Sequence, residues 1–386
     1  MFGLSDSEID DAGATWTVRE VLQQPEIWAV VERLIADEAQ PLSEFLNPIL
    51  ARPHARIVLT GAGTSAYIGD CLAPALAGMG KRVAAIPTTD LVSGPQSYLS
   101  SDAPTLLVSF GRSGNSPESV AAVRLADACI KDCAHLIITC DASGALAQCA
   151  RTHPRARVVV LPQRSNDRSF AMTSSFTGML LAGALILGAV RGAGSRILAL
   201  ERAAARVLPE RVPLLQSLVN SSFDRAVYLG SKELKGLARE AALKMLELTD
   251  GKVVAVADSP LGFRHGPKTI LNANTLVVLF ASNDEYTRQY DRDLVGELRR
   301  DGVAGRVITL AARPLDGHPL DDIGLTAGDT AEFSDLELCL PYAVFAQSIA
   351  LLRSLSLGIR PDNPNAAGTV SRVVKGVSIH PWRGGA

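Results

Sequence analysis

A pattern of apolar strands occurs twice along this chain at a nearly constant spacing. RIVLTG at 56–61 has a counterpart in AVYLGS at 226–231, and TLLVSF at 105–110 has one in TLVVLF at 275–280, both 170 positions later. AHLIITCD at 134–141 matches GRVITLAA at 305–312 at nearly the same spacing. Two pairs at one identical spacing are hard to obtain by chance, so the pattern predicts a duplicated domain.

Each strand pattern is followed by a loop and then by a helical pattern, which predicts βαβ units and a parallel sheet. The expected fold class is therefore α/β, with two tandem domains that each have a parallel sheet and helices on both faces. The apolar spacing also predicts helices at 18–36 and 41–50 and a helical linker around 193–218. The predicted organisation is a helical arm at 1–50, domains at 51–205 and 206–360, and a tail at 361–386.

Composition excludes several classes of partner. A length of 386 residues is enough for two domains with ample cores. The net charge of −2 and the pI near 6.3 do not suggest a nucleic-acid or anionic-membrane partner. The N-terminus lacks the pattern of a signal peptide, and the apolar run at 179–190 is too short to span a bilayer. The six cysteines have no metal-ligand spacing, so we expect reduced thiols in a cytoplasmic protein.

The stretch TLLVSFGRSGNSPES at 105–119 places a glycine- and serine-rich loop between a strand and a helix. Ser116 is expected to cap the helix and Pro117 to be its first residue. Free N–H groups at a helix start, flanked by small hydroxyls, form a site for an anion. Because neither a P-loop nor a GxGxxG motif is present, a phosphate on a small molecule fits better than a nucleotide. The alternative is an ordinary turn rich in serine and glycine.

A second loop of the same kind, GAGTS at 61–65, follows the first strand. We call 61–65 glycine loop 1 and 111–116 glycine loop 2. If their strands are neighbours, Thr64, Ser65, Ser113 and Ser116 converge on one phosphate. The alternative is two unrelated glycine turns. In the second copy, Ser282-Asn283-Asp284-Glu285 replaces glycine loop 2, and its carboxylates would repel phosphate. Only the first copy is therefore predicted to bind an anion.

The second copy carries ionisable groups suited to proton transfer. Glu240, Lys244 and Glu247 stand at i, i+4 and i+7, so they share one face of a predicted helix. A carboxylate beside a lysine is suited to removing a proton from a sugar carbon. The alternative is a solvated salt-bridge face. His265 lies on a constrained loop between Arg264 and Gly266-Pro267, where an exposed ring is expected, although a lone histidine is more often structural.

Taken together, these motifs resemble a known family. The GAGTS and SFGRSGNS loops, with EAALKMLE and RHGP in the second copy, resemble proteins with tandem sugar isomerase (SIS) domains. WTVREVLQQPEIW, NDRSFAMTSSFTG and SPLGFRHGPKT are similar to the AgaS family. These galactosamine-6-phosphate deaminase/isomerases were once described as tagatose-6-phosphate ketose/aldose isomerases. The resemblance covers essentially the whole chain and implies two flavodoxin-like SIS domains.

The resemblance also implies roles for individual residues. Glu247 matches the base that moves a proton between C1 and C2, with Lys244 beside it and Glu240 as a supporting carboxylate. His265 matches the histidine that opens the sugar ring, and Lys375 matches a tail lysine that reaches the open-chain sugar. The residues expected to bind the phosphate or the sugar are Gly63, Thr64, Ser65, Ser109, Arg112, Ser113, Gly114, Ser116, Arg168 and Thr173.

The implied activity is conversion of galactosamine 6-phosphate to tagatose 6-phosphate and ammonia, with no metal or organic cofactor. The implied assembly is a homodimer, or a dimer of dimers, whose sites take the histidine from a neighbouring subunit. The alternatives are glucosamine-6-phosphate deamination, isomerisation of a neutral sugar phosphate, and a sugar-phosphate sensor. A sensor would need a basic recognition helix, which the first fifty residues do not show. Glutamine-driven amination is not expected, because Phe2 stands where that chemistry needs cysteine.

Overall fold

The computed structural model describes residues 2–99, 102–190, 193–313, 315, 322–324, 332–374 and 376–383. Within these residues, ten strands form two five-stranded sheets in which every pairing is parallel. The first sheet contains β1 (Arg56–Thr60), β2 (Arg82–Ala85), β3 (Thr105–Gly111), β4 (Cys133–Thr139) and β5 (Ala156–Val160). The second contains β6 (Arg225–Leu229), β7 (Val254–Asp258), β8 (Thr275–Phe280), β9 (Arg306–Ala311) and β10 (Asp322–Gly324).

The two sheets have the same strand order. The first runs β2-β1-β3-β4-β5 and the second, taken from the matching edge, runs β7-β6-β8-β9-β10. The register agrees as well, since Arg56 pairs with Thr105 in the first sheet and Arg225 pairs with Thr275 in the second. Arg225 is therefore the counterpart of Arg56, so β1 and β6 are offset by 169 positions and not by the expected 170, whereas β3 and β8 keep the offset of 170. This order is that of the flavodoxin-like fold, which places a crevice between the first and third strands. The predicted fold class and duplication are both confirmed.

Fifteen α-helices lie within the described residues. They are α1 (Asp6–Asp11), α2 (Thr15–Leu22), α3 (Gln24–Asp37), α4 (Ala39–Leu50), α5 (Thr64–Gly78), α6 (Thr88–Ser93), α7 (Pro95–Tyr98), α8 (Pro117–Cys129), α9 (Ala145–Arg151), α10 (Ser174–Ile186), α11 (Ala193–Asn220), α12 (Glu233–Leu248), α13 (Pro260–Phe263), α14 (Glu285–Asp301) and α15 (Asp335–Ser356). Short 3₁₀ turns occupy Gln163–Ser165 and Pro267–Ile270.

One helix of the arm differs from its prediction. The single helix expected at 18–36 is two helices, α2 and α3, interrupted at Gln23. Pro25 has no N–H with which to continue the hydrogen bonds of α2, and proline is tolerated only in the first turn of a helix. The predicted helix at 41–50 corresponds to α4, and the predicted helical linker corresponds to α11.

The chain forms two compact units. The first-sheet unit consists of 30–167, 174–193 and 368–386, and the second-sheet unit consists of 1–29, 168–173 and 194–367. Apolar side chains of the first sheet form a core with α8 and α9, and those of the second sheet form a core with α14. β3 and β8 are buried at every position, as expected for central strands that are covered on both faces.

The helix α15 is the longest apolar helix in the second-sheet unit. Its length and composition would allow it to cross a membrane, but 94% of its most apolar window is buried within the protein. It packs along α12, and a capping box at Ser334 and Glu337 begins it. We therefore interpret α15 as a core helix. The six cysteines are all free, and four of them are buried.

Candidate active site

Glycine loop 1 begins α5 at the carboxyl end of β1. β1 and β3 are neighbours, so the condition for the two glycine loops to lie side by side is met. A Cβ on Gly61 would lie 2.6 Å from backbone atoms of Ser65, so the tight turn requires glycine at this position. Gly63 has a φ of +56°, and the buried residues Thr64 and Ser65 follow it as the first residues of α5. The loop therefore brings two small hydroxyl residues to a helix start.

Glycine loop 2 is held in shape by the chain that follows β4. The Leu146 N–H donates to the carbonyl of Gly114 at 2.8 Å, and the Ala145 N–H donates to the side chain of Asn115 at 2.9 Å. Ser116 is the N-cap of α8, as predicted, and its Oγ accepts from the Ser119 N–H at 3.3 Å. Ser113 is half-buried in the middle of the loop. The Ser113 Oγ accepts from the Asn115 N–H at 3.3 Å, which places this hydroxyl beside the start of α8, whereas that of Ser116 has a capping role.

Arg112 connects glycine loop 2 to the C-terminal tail. Its side chain is buried and its Nη2 donates to the carbonyl of Arg372 at 3.1 Å. Arg372 in turn donates to the carbonyl of Asp167, at the end of the polar loop after β5. The tail therefore lies against the loop that is predicted to bind phosphate. Lys375, the tail residue proposed to reach the sugar, is outside the described residues.

In the second copy, buried carboxylates occupy the loop that corresponds to glycine loop 2. The Ser282 N–H donates to Asp291 at 2.9 Å, and the Ser282 hydroxyl donates to Asp335 at 2.6 Å. The Asn283 N–H also donates to Asp335, at 2.7 Å. These donors are thus already paired with the protein's own carboxylates. Burial raises the pKa of Asp291 to about 7.

The role of the carboxylates around this loop differs from the expected one. Asp284 was expected to repel phosphate, but its side chain caps α14 by accepting from the Thr287 N–H at 2.8 Å. The carboxylates that pair with the loop donors are Asp291 and Asp335, which come from α14 and α15. Sequence analysis missed both residues because they lie 9 and 53 positions away from Ser282.

The predicted acid/base face is present on α12. Glu240, Lys244 and Glu247 line one side of the helix, where the Lys244 side chain is fully buried and that of Glu247 is 25% exposed. Lys244 Nζ lies 3.5 Å from Glu240 and forms a closer ion pair with Glu247. A solvated salt-bridge face would expose the lysine, so that alternative does not fit this geometry. The arrangement orients one accessible carboxylate by means of a buried ammonium group.

His265 lies on a braced loop between α13 and the following 3₁₀ turn. Its ring is exposed, as predicted. On either side of it, Arg264 pairs with Glu297 at 2.8 Å and Lys268 pairs with the same carboxylate. Lys268 also contacts Asp301 at 2.5 Å. The two acidic residues belong to α14, and no local sequence signal links them to the loop.

Arg168 and Thr173 lie at the ends of a segment that belongs to the second-sheet unit. Glu20, a buried residue of α2, accepts from the N–H groups of Arg168 and Ser169 at 2.5 and 3.1 Å. The exposed guanidinium group of Arg168 lies 4.3 Å from the ring centre of Trp16, in cation–π geometry. Thr173 is fully buried. The N-terminal arm therefore fixes this segment, which sequence analysis did not foresee.

A cluster of two histidines and one carboxylate lies elsewhere in the first-sheet unit. His135 and His153 approach the carboxylate of Asp127 at 2.7 and 3.3 Å through their Nε2 atoms. The Arg155 N–H donates to Nδ1 of His153, so the ring proton of neutral His153 lies on Nε2. This nitrogen donates a hydrogen bond and has no lone pair for a metal. Hydrogen bonding therefore accounts for the cluster.

Comparison with known proteins identifies the family. The model of the SIS domain matches residues 49–188. The D-galactosamine-6-phosphate deaminase AgaS of Escherichia coli is 47% identical over 382 residues, which cover 96% of this chain and 97% of that protein. The chain belongs to the AgaS family. Another AgaS protein, the D-galactosamine-6-phosphate deaminase of Shewanella sp. strain ANA-3, is 43% identical over 98% of this chain and 95% of its own length.

A solved structure agrees with this assignment to the AgaS family. The crystal structure of tagatose-6-phosphate ketose/aldose isomerase from Escherichia coli superposes with a TM-score of 0.89 at 44% identity. The match covers 96% of this chain and 97% of that one. The resemblance inferred from the motifs is therefore confirmed over nearly the full length.

Proposed function

We propose that this protein converts galactosamine 6-phosphate and water to tagatose 6-phosphate and ammonia. The observation that carries the proposal is the acid/base face of α12, where the buried ammonium of Lys244 orients the accessible carboxylate of Glu247. Membership in the AgaS family supports this choice of substrate, since the relatives named above are galactosamine-6-phosphate deaminases. The runner-up, isomerisation of a neutral sugar phosphate, has support from the name of the similar Escherichia coli structure.

Phosphate binding comes first in the proposed mechanism. Glycine loops 1 and 2 supply hydroxyls and helix starts from two neighbouring strands, which suits the phosphate group of the substrate. Arg112, a buried residue of glycine loop 2, adds a positive charge to this region. Holding the phosphate anchors the sugar and uses binding energy to orient its reacting carbons.

Proton transfer follows ring opening. We propose that His265 assists the opening of the ring, which gives an aldehyde at C1 beside the amine at C2. Glu247 then removes the C2 proton, and the resulting enaminol is protonated at C1. The product is a ketimine with a hydroxymethyl group at C1. Water adds to the C=N carbon and ammonia leaves, so that a ketose 6-phosphate remains.

We also propose a cytoplasmic homodimer, or a dimer of dimers, with shared sites. The six free cysteines support a reducing compartment. The exposed ring of His265 supports shared sites, because an exposed side chain is able to enter the active site of a partner subunit. Lys375 is proposed to contact the open-chain sugar.

A panel of substrates tests the proposed activity. Purified protein is incubated with galactosamine 6-phosphate, glucosamine 6-phosphate and tagatose 6-phosphate, and both ammonia and ketose are measured. The proposal predicts equal amounts of ammonia and ketose, with the highest kcat/KM for galactosamine 6-phosphate. Conversion of neutral sugar phosphates without any ammonia from the amino sugars would instead favour the isomerase.

A further inference from the structure

Three buried hydroxyl groups lie at the carboxyl ends of neighbouring strands in the first sheet. Thr60 ends β1, Ser109 lies near the end of β3, and Thr88 follows β2 as the first residue of α6. Each of these residues is 1% exposed. None of the three Oγ atoms has a hydrogen-bond partner within the described residues. Burying a hydroxyl without a partner is unfavourable, so each of these groups requires an explanation.

The three hydroxyl residues border the glycine loops. Thr60 and Ser109 are register partners on adjacent strands, so their side chains lie on the same face of the sheet. Thr60 immediately precedes glycine loop 1, and Ser109 lies two residues before glycine loop 2. The Thr88 N–H donates to the carbonyl of Gly61 at 2.8 Å, which ties Thr88 to the same loop. We call Thr60, Thr88 and Ser109 the hydroxyl floor.

The second copy of the fold shows whether the positions of Thr60 and Ser109 require a hydroxyl group for folding. Thr60 pairs with Ser109 in the first sheet, and at the same register Leu229 pairs with Leu279 in the second. Both leucines are fully buried and belong to the apolar core of their unit. The fold itself is therefore satisfied by apolar side chains at these two positions.

The same comparison applies to Thr88. Arg82 pairs with Arg56 in the first sheet, and Val254 pairs with Arg225 in the second. Six residues further on in each copy, a short helix begins with Thr88 in the first and with Pro260 in the second. Proline has no side-chain hydroxyl, so the first position of this helix does not need one; the hydroxyl that caps α13 belongs to Ser259, one residue earlier. All three hydroxyls belong to the copy that carries glycine loops 1 and 2.

We propose that the hydroxyl floor is part of the substrate site and that Thr60 and Thr88 bind the sugar phosphate together with Ser109. Each hydroxyl would hydrogen-bond an oxygen of the bound molecule, directly or through one trapped water. A hydroxyl can both donate and accept, which suits phosphate oxygens as well as sugar hydroxyls. This inference rests on the proposed function, since it takes a sugar phosphate as the ligand, and it adds Thr60 and Thr88 to the binding residues.

The variants Thr60→Val and Thr88→Val test the proposal, because valine keeps the shape of threonine and removes only the hydroxyl. Binding of galactosamine 6-phosphate is measured by calorimetry, with Glu247→Gln added to the wild type and to each variant so that the titrated sugar is not consumed. The melting temperature is measured on the same samples. We expect the Kd of each variant to rise about tenfold. The melting temperature should stay the same or increase, because an unpaired buried hydroxyl has been removed.

Thr105→Val is the matched control. Thr105 is buried at the opposite end of β3, and its Oγ1 donates to the carbonyl of Ala103 and accepts from Arg56, both at 2.9 Å. This variant should lower the melting temperature and leave Kd unchanged, which is the reverse of the pattern expected for the hydroxyl floor. Titration with inorganic phosphate then assigns the contact. If the Kd for inorganic phosphate rises in a valine variant, the lost hydroxyl contacts the phosphate group. If that Kd is unchanged, the hydroxyl contacts the sugar.

Three results would overturn the inference. If the wild type binds galactosamine 6-phosphate and both valine variants bind it with unchanged Kd, the hydroxyl floor is not part of the site, although the proposed function survives. A lower melting temperature at unchanged Kd would show a purely structural role for the hydroxyls. If the wild type binds no sugar phosphate at all, both the proposed function and the hydroxyl floor are wrong.

Discussion

At the scale of single residues, the two copies of the fold differ in what their loop donors bind. In the second copy the donors of Ser282 and Asn283 are paired with buried carboxylates, and in the first copy the equivalent loop has glycine, serine and a buried arginine. Local motifs were enough to predict that the loops of the two copies differ. They did not predict Asp291 or Asp335, since those residues reach the loop from other helices.

Ser113→Ala should weaken substrate binding. Removing a hydrogen bond to a charged phosphate costs about 1.5–3 kcal/mol, so KM for the sugar phosphate should rise about 10- to 100-fold. Ser116→Ala is the comparison. Because Ser116 caps α8, its loss should reduce the free energy of unfolding by about 1 kcal/mol. Steady-state kinetics and thermal unfolding of both variants provide the check, and an unchanged KM for Ser113→Ala would remove the phosphate assignment.

The buried carboxyl of Asp291 should make stability depend on pH. Its pKa is raised from 3.8 to about 7, mainly by burial, with Asp335 also raising it and Arg288 lowering it. Between pH 4 and 7 the folded state holds a proton that the unfolded state has released, so this contribution to stability is lost as pH rises through 7. The asparagine side chain in the Asp291→Asn variant stays neutral at every pH. The melting temperature of the variant minus that of the wild type should therefore increase from pH 5 to pH 8. A difference that is constant with pH would contradict this.

At the scale of secondary structure, the strands that repeat between the two copies and the start of α8 followed from local patterns. The edge strands β2 and β10 were not predicted. The spacing of Glu240, Lys244 and Glu247 predicted their shared face on α12, because helical geometry alone determines it. The burial of the Lys244 side chain could not be predicted from this spacing. Lys244 is fully buried because α15 packs along α12, and α15 lies about ninety residues further along the chain.

Glu297 should position the His265 loop. It pairs with Arg264 and Lys268, the two cations that flank the histidine. Glu297→Gln should lower kcat severalfold while KM and the melting temperature change little, because partly exposed ion pairs contribute little to stability. Asp301→Asn, which affects only the pairing of Lys268, is the control and should have a smaller effect. Equal effects of the two variants on kcat would argue against this role.

At the scale of the whole molecule, contacts between distant segments could not be predicted from the sequence. Glu20 binds Ser169 across 149 positions, and Asp362 accepts from the Thr17 N–H across 345 positions at 2.7 Å. Such contacts leave no periodic signal, because each carboxylate is a single polar residue in an ordinary helix or turn. The duplication was predictable because it repeats apolar strands, whereas these contacts occur only once.

Shared sites predict a specific result for mixed subunits. The inactive variants Glu247→Gln and His265→Ala are unfolded and refolded together. If each site combines residues from two subunits, one site of every mixed dimer carries both changes and the other carries neither. Random mixing makes roughly half of the dimers mixed, so about a quarter of the wild-type activity should return. If one chain supplies all catalytic residues, every site keeps a lesion and no activity returns.

The most direct test of the central claim compares Glu247→Gln with the wild type on galactosamine 6-phosphate. We predict that the variant binds the sugar phosphate with a Kd within a few-fold of the wild-type KM, since Glu247 does not hold the phosphate. Ammonia release should fall about 10²- to 10⁴-fold, because the positioned proton acceptor is gone. Glu44→Gln, a change at an exposed residue of α4, should leave both KM and ammonia release unchanged. Near-normal ammonia release by Glu247→Gln would contradict the account.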